Sequence, residues 1–402
     1  MQALGINENN RMRRITTRLR RIKRTQKADG NTQHSVSAEK RLISNQQRLQ
    51  GLIDRLPAIV WTTDCTLRFN SVQGSGLTLL QQDPERIVNR TMQEVFSTND
   101  PDFKPLAHQL KAVEGISSSY EWHWRGRDFA VSVKPLIASD QTIFGSVGIA
   151  LDVTADRHNT RQLASARQIQ ERLFPARAPQ LKGYEIAGQT NPAETVAGDY
   201  FDYISIENGA TGFVVADVSG HGVGPAMLMA ETRAYLRALA REGHGLHSIL
   251  QRANDYLYRD TDSDKFVTLF LGELDPPRRR FNYTSAGHET AYILNAAGEV
   301  ETSLRSTSTP LGLFETMTID PMKSIELKCG DILIVLTDGV IEAARGDDEF
   351  FGPERALEVV RQHRTRSATE IVGALHGAVH EFLGPYRQED DLTALVVKVL
   401  DS

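Results

Sequence analysis

The chain has 402 residues, a formal net charge of −5, 24 % charged and 7 % aromatic residues. That length suggests two or three domains, the composition is ordinary for a soluble globular protein, and so small a charge names no partner. Two cysteines, Cys65 and Cys329, make neither a metal spacing nor a disulfide framework. No apolar run approaches the ~20 residues of a membrane span and no signal peptide is visible, so a cytoplasmic protein is expected.

Charge is concentrated between Arg11 and Lys27, where Arg and Lys recur without an acid. Met12, Ile15, Leu19 and Ile22 would line one face of a helix. Such a basic helical extension, residues 1–44, can touch an anionic membrane, pair as a coiled coil, or simply be solvated. No interleaved aromatics or known module support nucleic-acid binding. A second helix is expected from Ala38 to Leu56, with Leu42, Leu49 and Leu56 at sevens.

From Ala58 to Asp64 and from Leu67 to Asn70 the pattern reads as two strands, then helices at 72–82 and 91–115. Alternation through Tyr120, Trp122 and Trp124, then Phe129, Val131 and Val133, then Phe144 to Val153 predicts three antiparallel strands. This order, opened by Leu56-Pro-Ala-Ile-Val-Trp-Thr-Thr-Asp64 and closed by Asp152-Val-Thr, resembles a PAS sensor domain, residues 45–157. No cysteine stands near Asn89-Arg90-Thr91, where a flavin photoreceptor needs one. His108 is the one plausible haem ligand, and a hydrogen-bonded histidine is its plainer reading. The ligand is unknown, or there is none.

Leu163, Ala166, Ile169 and Leu173 then form a helical stripe that Pro175 and Pro179 end. Residues 158–180 read as a linker helix, packed on its own domain or paired with its twin in a homodimer formed through the PAS domain and this coiled coil.

The region 181–402 is organised by four acidic turns. Phe213-Val-Val-Ala-Asp217-Val218-Ser-Gly220-His221-Gly222 is an apolar strand ending in a carboxylate and a glycine turn. Val196-Ala-Gly-Asp199-Tyr-Phe-Asp202, Val335-Leu-Thr-Asp338-Gly339 and Glu389-Asp390-Asp391-Leu-Thr393 repeat the design. One such Asp is ordinarily a turn or cap residue. Four at the ends of apolar runs would suit hard divalent cations.

In this order the four pieces resemble the metal-dependent PPM serine/threonine protein phosphatases, SpoIIE-like (RsbU-like) branch, from about Arg161 to Val399. Ile169-Gln-Glu-Arg-Leu-Phe-Pro175, Ser285-Ala-Gly287-His288 and Pro310-Leu-Gly312 also match that branch. The resemblance implies an α+β chain: helical N-terminal segment, PAS domain, coiled-coil linker, then an α/β-β/α sandwich of two antiparallel sheets flanked by helices. It implies two Mn²⁺ or Mg²⁺ ions. Asp217 would bridge them, the Val218 carbonyl and Asp199 would serve one, and Asp338 and Asp390 would hold the other. Asp391 would serve a third weak site or only cap. With Asp217, His221 is the catalytic candidate, as general acid or as a turn residue, because it stands one residue later than in the eukaryotic enzymes. Ala197 replaces the usual glycine, and no arginine near the first motif matches the eukaryotic phosphate clamp. The implied substrate is a phosphorylated STAS-domain anti-anti-sigma protein in a partner-switching pathway. The alternative is an inactive PPM-fold module that only binds a partner.

Overall fold

A computed structural model describes residues 51, 53, 55, 57–206, 209–262, 264–320, 323–346 and 349–401. The basic segment Arg11–Lys27, the leucines Leu42, Leu49 and Leu56, and residues 347–348 lie outside the described residues. The chain divides into two compact units between Asn159 and Thr160.

In the first unit, β1 (Ala58–Asp64) and β2 (Phe69–Gln73) precede α1 (Gly76–Leu79), α2 (Met92–Phe96) and α3 (Lys104–Val113). Then come β3 (Ser118–Trp124), β4 (Arg127–Ile137) and β5 (Ile143–Asp152). They form one antiparallel sheet in the order β2-β1-β5-β4-β3, with the two-strand, helix, three-strand layout expected. Phe129, Val131 and Val133 alternate inward from β4 and are buried. Thr91 starts α2 with a capping box to Glu94. Leu106, Gln109 and Ala112 present one face of α3 to this core. Gln109 Oε1 ends a neutral chain: Ser146 Oγ donates to it at 2.6 Å and lies 2.8 Å from Thr63 Oγ1, while the Gln109 Nε2 is buried without a partner among the described residues. His108 stacks on Tyr120 and bonds Ser118 Oγ at 2.9 Å. A half-open apolar cavity of about 60 Å³ lies between sheet and helices, lined by Trp61, Phe69, Met92, Phe96, Trp122 and Trp124 among others. Trp122 and Trp124 therefore line a cavity, whereas Phe129 is core.

The second unit begins in α4 (Thr154–Glu171). It continues as β6 (Tyr184–Asn191), β7 (Tyr200–Ser205), β8 (Thr211–Val218), α5 (Val223–Arg241) and α6 (Leu246–Asp260). Next are β9 (Val267–Asp275), β10 (Arg280–Ala286), β11 (Ala291–Leu294), β12 (Val300–Leu304), β13 (Lys323–Glu326) and β14 (Ile332–Leu336). The chain closes with α7 (Asp338–Ile341), β15 (Ala344–Arg345), β16 (Glu349–Phe350), α8 (Gly352–His363), α9 (Ala368–Leu383) and β17 (Leu392–Val399). The sheets run β13-β10-β9-β8-β7 and β12-β11-β14-β17-β6. β12 was not foreseen: Val-Glu-Thr-Ser-Leu is an exposed edge strand with no apolar alternation to read.

Strand alternation builds four layers. Val214, Ala216 and Val218 of β8 pack on Leu236, Ile249 and Leu257 of α5 and α6. Phe213 and Val215 pack the other way, against Val335, Leu395 and Val397 of the second sheet. Ile334, Val396 and Ile371 fill the layer between that sheet and α8 and α9. Each large side chain so buried contributes about 1.5–3 kcal/mol. Both cysteines are exposed thiols, so neither packs in the core.

In α4 the stripe Leu163, Ala166, Ile169 is not packed away. Among the described residues of this helix only Gln170 is buried, and Ile169 is 65 % exposed. Leu173, just past the helix, does reach the core beside α5 and α6.

Candidate metal centre

The alternation that fills the inter-sheet layer also delivers the acids. Phe213 and Val215 face that layer, so Asp217, at the same parity, faces it where β8 ends. Leu333 and Val335 place Thr337 on the same side, and Leu395 and Val397 place Thr393 and Asp391 there. Asp199, two residues before the inter-sheet Phe201, completes the set from the start of β7. The layer is aromatic and aliphatic through most of its length and polar at this end.

Hydrogen bonds lock the polar end. Thr337 Oγ1 donates to Asp199 Oδ2 at 2.7 Å and accepts from the Thr393 amide at 3.1 Å. Asp391 grips the first acidic turn through three amides: Ala193 N–H at 2.8 Å, Gly198 N–H at 2.7 Å and Asp199 N–H at 3.3 Å. Its side chain is thus a clamp on the Asp199 loop. Among the described residues, the Asp338 and Asp390 carboxylates accept from the next amide, Gly339 and Asp391, each at 2.8 Å. A Cβ on Gly339 would lie 2.1 Å from the Asp391 carbonyl oxygen, so only glycine lets these two turns meet. A Cβ on Gly198 would lie 3.2 Å from the Val218 carbonyl oxygen, which sets the Asp199 loop against the end of β8.

Electrostatics tie the acids to one another. Burial, then Asp217 and Asp391, hold the Asp199 carboxyl well above the usual range. Burial and then Asp338, Asp390 and Asp391 push Asp217 up to about 7, against a bond from Asp199. Burial and then Asp390 push Asp338 up to about 6. Burial also raises Asp391, against its three amide donors. Among the described residues none of Asp199, Asp217, Asp338, Asp390 and Asp391 forms an ion pair with Lys, Arg or His. Nor do any three described His, Cys, Asp or Glu side chains close into a ready ligand cage. Desolvated carboxylates that repel one another are costly until a cation or protons neutralise them. That donor set, all oxygen and all acidic, fits hard divalent ions.

The neighbouring residues sort by contact. His221 is 77 % exposed and its Nδ1 lies 3.1 Å from Glu194 Oε1, a carboxylate of the first acidic turn. Gly220 and Gly222, with φ of 89° and 91°, form the turn that presents it. His288 is buried with Nδ1 2.9 Å from Thr268 Oγ1, opposite Asp217 in the β8–β9 register. Burial lowers its pKa to about 4, with the Leu336 backbone opposing. Asp202 leaves the centre: both its oxygens take Arg237 at 2.6 Å, fastening β7 to α5.

Three residues were not singled out from sequence. Lys265 is half-buried, and its Nζ lies 3.6 Å from where a Cβ on Gly220 would be. Glu194 and Gln170 meet the site through His221 and Ala197. Lys265 follows Asp262-Ser-Asp in a polar loop, where one cation gives no pattern signal. Gln170 lies inside the quoted Ile169–Pro175 segment but looked like solvated helix.

Comparison with known proteins follows the same residues. Residues 207–400 match the family model described as Stage II sporulation protein E (SpoIIE). The match contains Asp217, Asp338, Asp390 and Asp391 and starts after Asp199. Protein IcfG of Synechocystis sp. is 30 % identical over 271 residues, 60 % of this chain and 42 % of IcfG, so this chain spans under half of that relative. Phosphoserine phosphatase RsbU of Bacillus subtilis is 23 % identical over 358 residues, 88 % of this chain and 97 % of RsbU. The SiaA-PP2C domain of Pseudomonas aeruginosa superposes with a TM-score of 0.55 at 22 % identity, covering 62 % of this chain and 100 % of that one. This last likeness is one of fold, antiparallel sheets flanked by helices.

Proposed function

The C-terminal domain belongs to the SpoIIE-type PPM phosphatases, and on that premise we propose that the chain hydrolyses phosphoserine or phosphothreonine in a protein, with Mg²⁺ or Mn²⁺. The observation that carries this reading is a cluster of acids at one end of the inter-sheet layer, Asp199 and Asp391 buried, Asp217 and Asp338 half-buried and Asp390 exposed, with no basic partner among the described residues.

Asp199, Asp217, Asp338 and Asp390, with the Val218 carbonyl, would hold two ions. Bound there, the ions supply an acidified water and neutralise phosphate charge. The chain does the rest. Asp391 keeps the Asp199 loop in place through its three amides. Lys265, beside Gly220, offers an ammonium to phosphate oxygens where no arginine clamp is present in the first motif. His221, whose Nδ1 lies 3.1 Å from Glu194 Oε1 at the exposed turn, would give a proton to the departing serine oxygen, or only shape the turn.

We assign residues 45–157 to a PAS sensor, 158–180 to a switch helix and 181–402 to the phosphatase, with 1–44 a basic extension. The proposed substrate is a phosphorylated STAS-domain anti-anti-sigma protein. The proposed assembly is a homodimer through the PAS domain and α4, in the cytoplasm. Among the described residues no helix is long and apolar enough to cross a membrane. The exposed Ile169 on α4 supports pairing of that helix.

The test is Mn²⁺-dependent hydrolysis of a phosphoserine peptide and of a chromogenic phosphate ester. Turnover that chelation abolishes and Mn²⁺ restores is expected. A protein that binds a phosphorylated partner but turns over neither substrate at high concentration is the partner-binding module instead.

A further inference from the structure

We propose that Glu194 is a positioning residue that aims His221 at the oxygen leaving phosphorus; this rests on the phosphatase reading above. Glu194 Oε1 lies 3.1 Å from His221 Nδ1, and the two come from different loops, the first acidic turn and the glycine turn after β8. Both backbones are held. The Ala193 amide, next to Glu194, donates to Asp391 Oδ1 at 2.8 Å. The Ser219 amide, two residues before His221, donates to the Phe266 carbonyl at 3.0 Å, and Ser219 Oγ accepts from the Phe266 amide at 3.1 Å. Gly222 takes a φ of 91°, and a Cβ there would stand 3.8 Å from Glu194 Oε2. One carboxylate thus has an oxygen on the ring and an oxygen beside the turn that carries it. His221 is the one ion-pair partner of Glu194 among the described residues.

A pair this exposed, 77 % for the histidine side chain and 40 % for the glutamate, adds little to stability. Its effect is on the ring. A carboxylate only accepts, so Nδ1 must carry a proton to bond it, and Nε2 is the nitrogen left to face substrate. As a water oxygen bonds to phosphorus, the bond from phosphorus to serine Oγ breaks and its electron pair stays on Oγ. The Nε2 proton of the imidazolium joins that pair, and serine leaves as an alcohol. The ring is left neutral with its proton on Nδ1, the form that a neighbouring carboxylate stabilises. The proton lost by the water goes to solvent, which recharges the exposed ring.

The experiment uses the full chain as wild type, His221→Ala, Glu194→Gln, Glu194→Ala and the double variant of Glu194→Ala with His221→Ala. Glu299→Gln, an exposed acid next to edge strand β12, is the control. First, kcat at saturating Mn²⁺ is measured for a phosphoserine peptide and for p-nitrophenyl phosphate. A nitrophenolate leaves as a stable anion, whereas serine needs a proton, so the ratio of peptide rate to aryl rate reads the acid. That ratio should fall about 100-fold in His221→Ala, the low end of general acid catalysis, about tenfold in Glu194→Ala and about threefold in Glu194→Gln, which keeps an acceptor. It should not change in Glu299→Gln. The double variant should match His221→Ala, because Glu194 acts only through the ring. Second, nitrogen-15 spectra of the histidine rings are taken without metal, in buffer alkaline enough to leave imidazole neutral. The His221 signal, absent from His221→Ala, should show the Nδ1–H tautomer in wild type and the mixture of free histidine in Glu194→Ala. A ratio that either His221→Ala or Glu194→Ala leaves unchanged, a double variant that falls below His221→Ala, or a wild-type ring with no preference for Nδ1–H overturns the proposal. A wild type that turns over neither ester with Mn²⁺ overturns the phosphatase reading instead, and the ring spectra still decide whether Glu194 orients His221.

Discussion

The two units of this chain bury polar atoms in opposite ways. In the first, the interior polar groups Thr63, Ser146 and Gln109 are neutral and bond one another, and the cavity beside them is apolar. In the second, the inter-sheet layer ends in carboxylates that raise one another's pKa and find no basic partner among the described residues. A neutral hydrogen-bonded network stabilises a fold without a counter-charge. A desolvated acidic set is stable only when something positive joins it. The contrast singles out the polar end of the inter-sheet layer.

The sharpest way to break that contrast is to remove one buried charge. Asp217→Asn should cut Mn²⁺-dependent turnover by at least about 10³-fold, since a carboxylate that would hold metal is lost. At pH 8 without metal it should also stabilise the second unit, by on the order of 1–3 kcal/mol, because its folded pKa is raised and the charged form is disfavoured in the fold. Unfolding of the two metal-free proteins followed by far-UV circular dichroism checks this. A variant that is less stable than wild type without metal would show that the acids are structural partners.

The acids that make this contrast were legible in sequence because each motif is local: an apolar strand, a carboxylate, a glycine. Gly339 shows why the spacing is tight, since its missing Cβ lets the Asp390–Asp391 turn approach. The sheets were legible through alternation, apart from β12, whose exposed Glu-Thr-Ser face carries none, and the two-residue strands β15 and β16, too short to show a pattern. What was not legible came from tertiary pairing. Gln170 looked like a solvated helix position, and only the fold reveals Ala197 opposite it. Asp391 reads in sequence as a third weak ligand or only a cap, and the fold reveals which amides it holds, those of Ala193, Gly198 and Asp199. Lys265 had no periodic or motif signal.

A pH profile sharpens the comparison, because a buried histidine sits beside the acids. The His288 pKa is lowered to about 4 from an ordinary value near 6.5. A depressed folded pKa means the stability it confers is full above about 6.5 and is lost as pH falls towards 4. Relative to His288→Gln, wild type should lose up to about 3 kcal/mol across that window. Asp217 and Asp338 act with the opposite sign, since their pKa values are raised, but they are present in both proteins and cancel. Parallel stability curves from pH 7 to pH 4 would remove His288 from the account.

Lys265 tests whether the acidic end also recruits a cation of its own for substrate. Lys265→Ala should raise KM for a phosphopeptide about tenfold, with kcat within about threefold, the size of one charge-assisted contact. The apparent Mn²⁺ constant should stay at the wild-type value. Inorganic phosphate should inhibit the variant less. A kcat loss with KM unchanged would place the ammonium at the reaction step and not at binding.

The smallest effect falls in the neutral network. All three tryptophans, Trp61, Trp122 and Trp124, lie in the first unit, so fluorescence follows that unit and turnover follows the other. Thr63→Val keeps shape and burial but removes the hydroxyl bonded to Ser146. The loss is one neutral hydrogen bond, about 1 kcal/mol. The fluorescence midpoint in urea should fall accordingly, while kcat, KM and the Mn²⁺ constant stay at wild-type values. If turnover falls as well, the neutral unit is coupled to the acidic one in the resting protein, and the two interiors cannot be treated as independent.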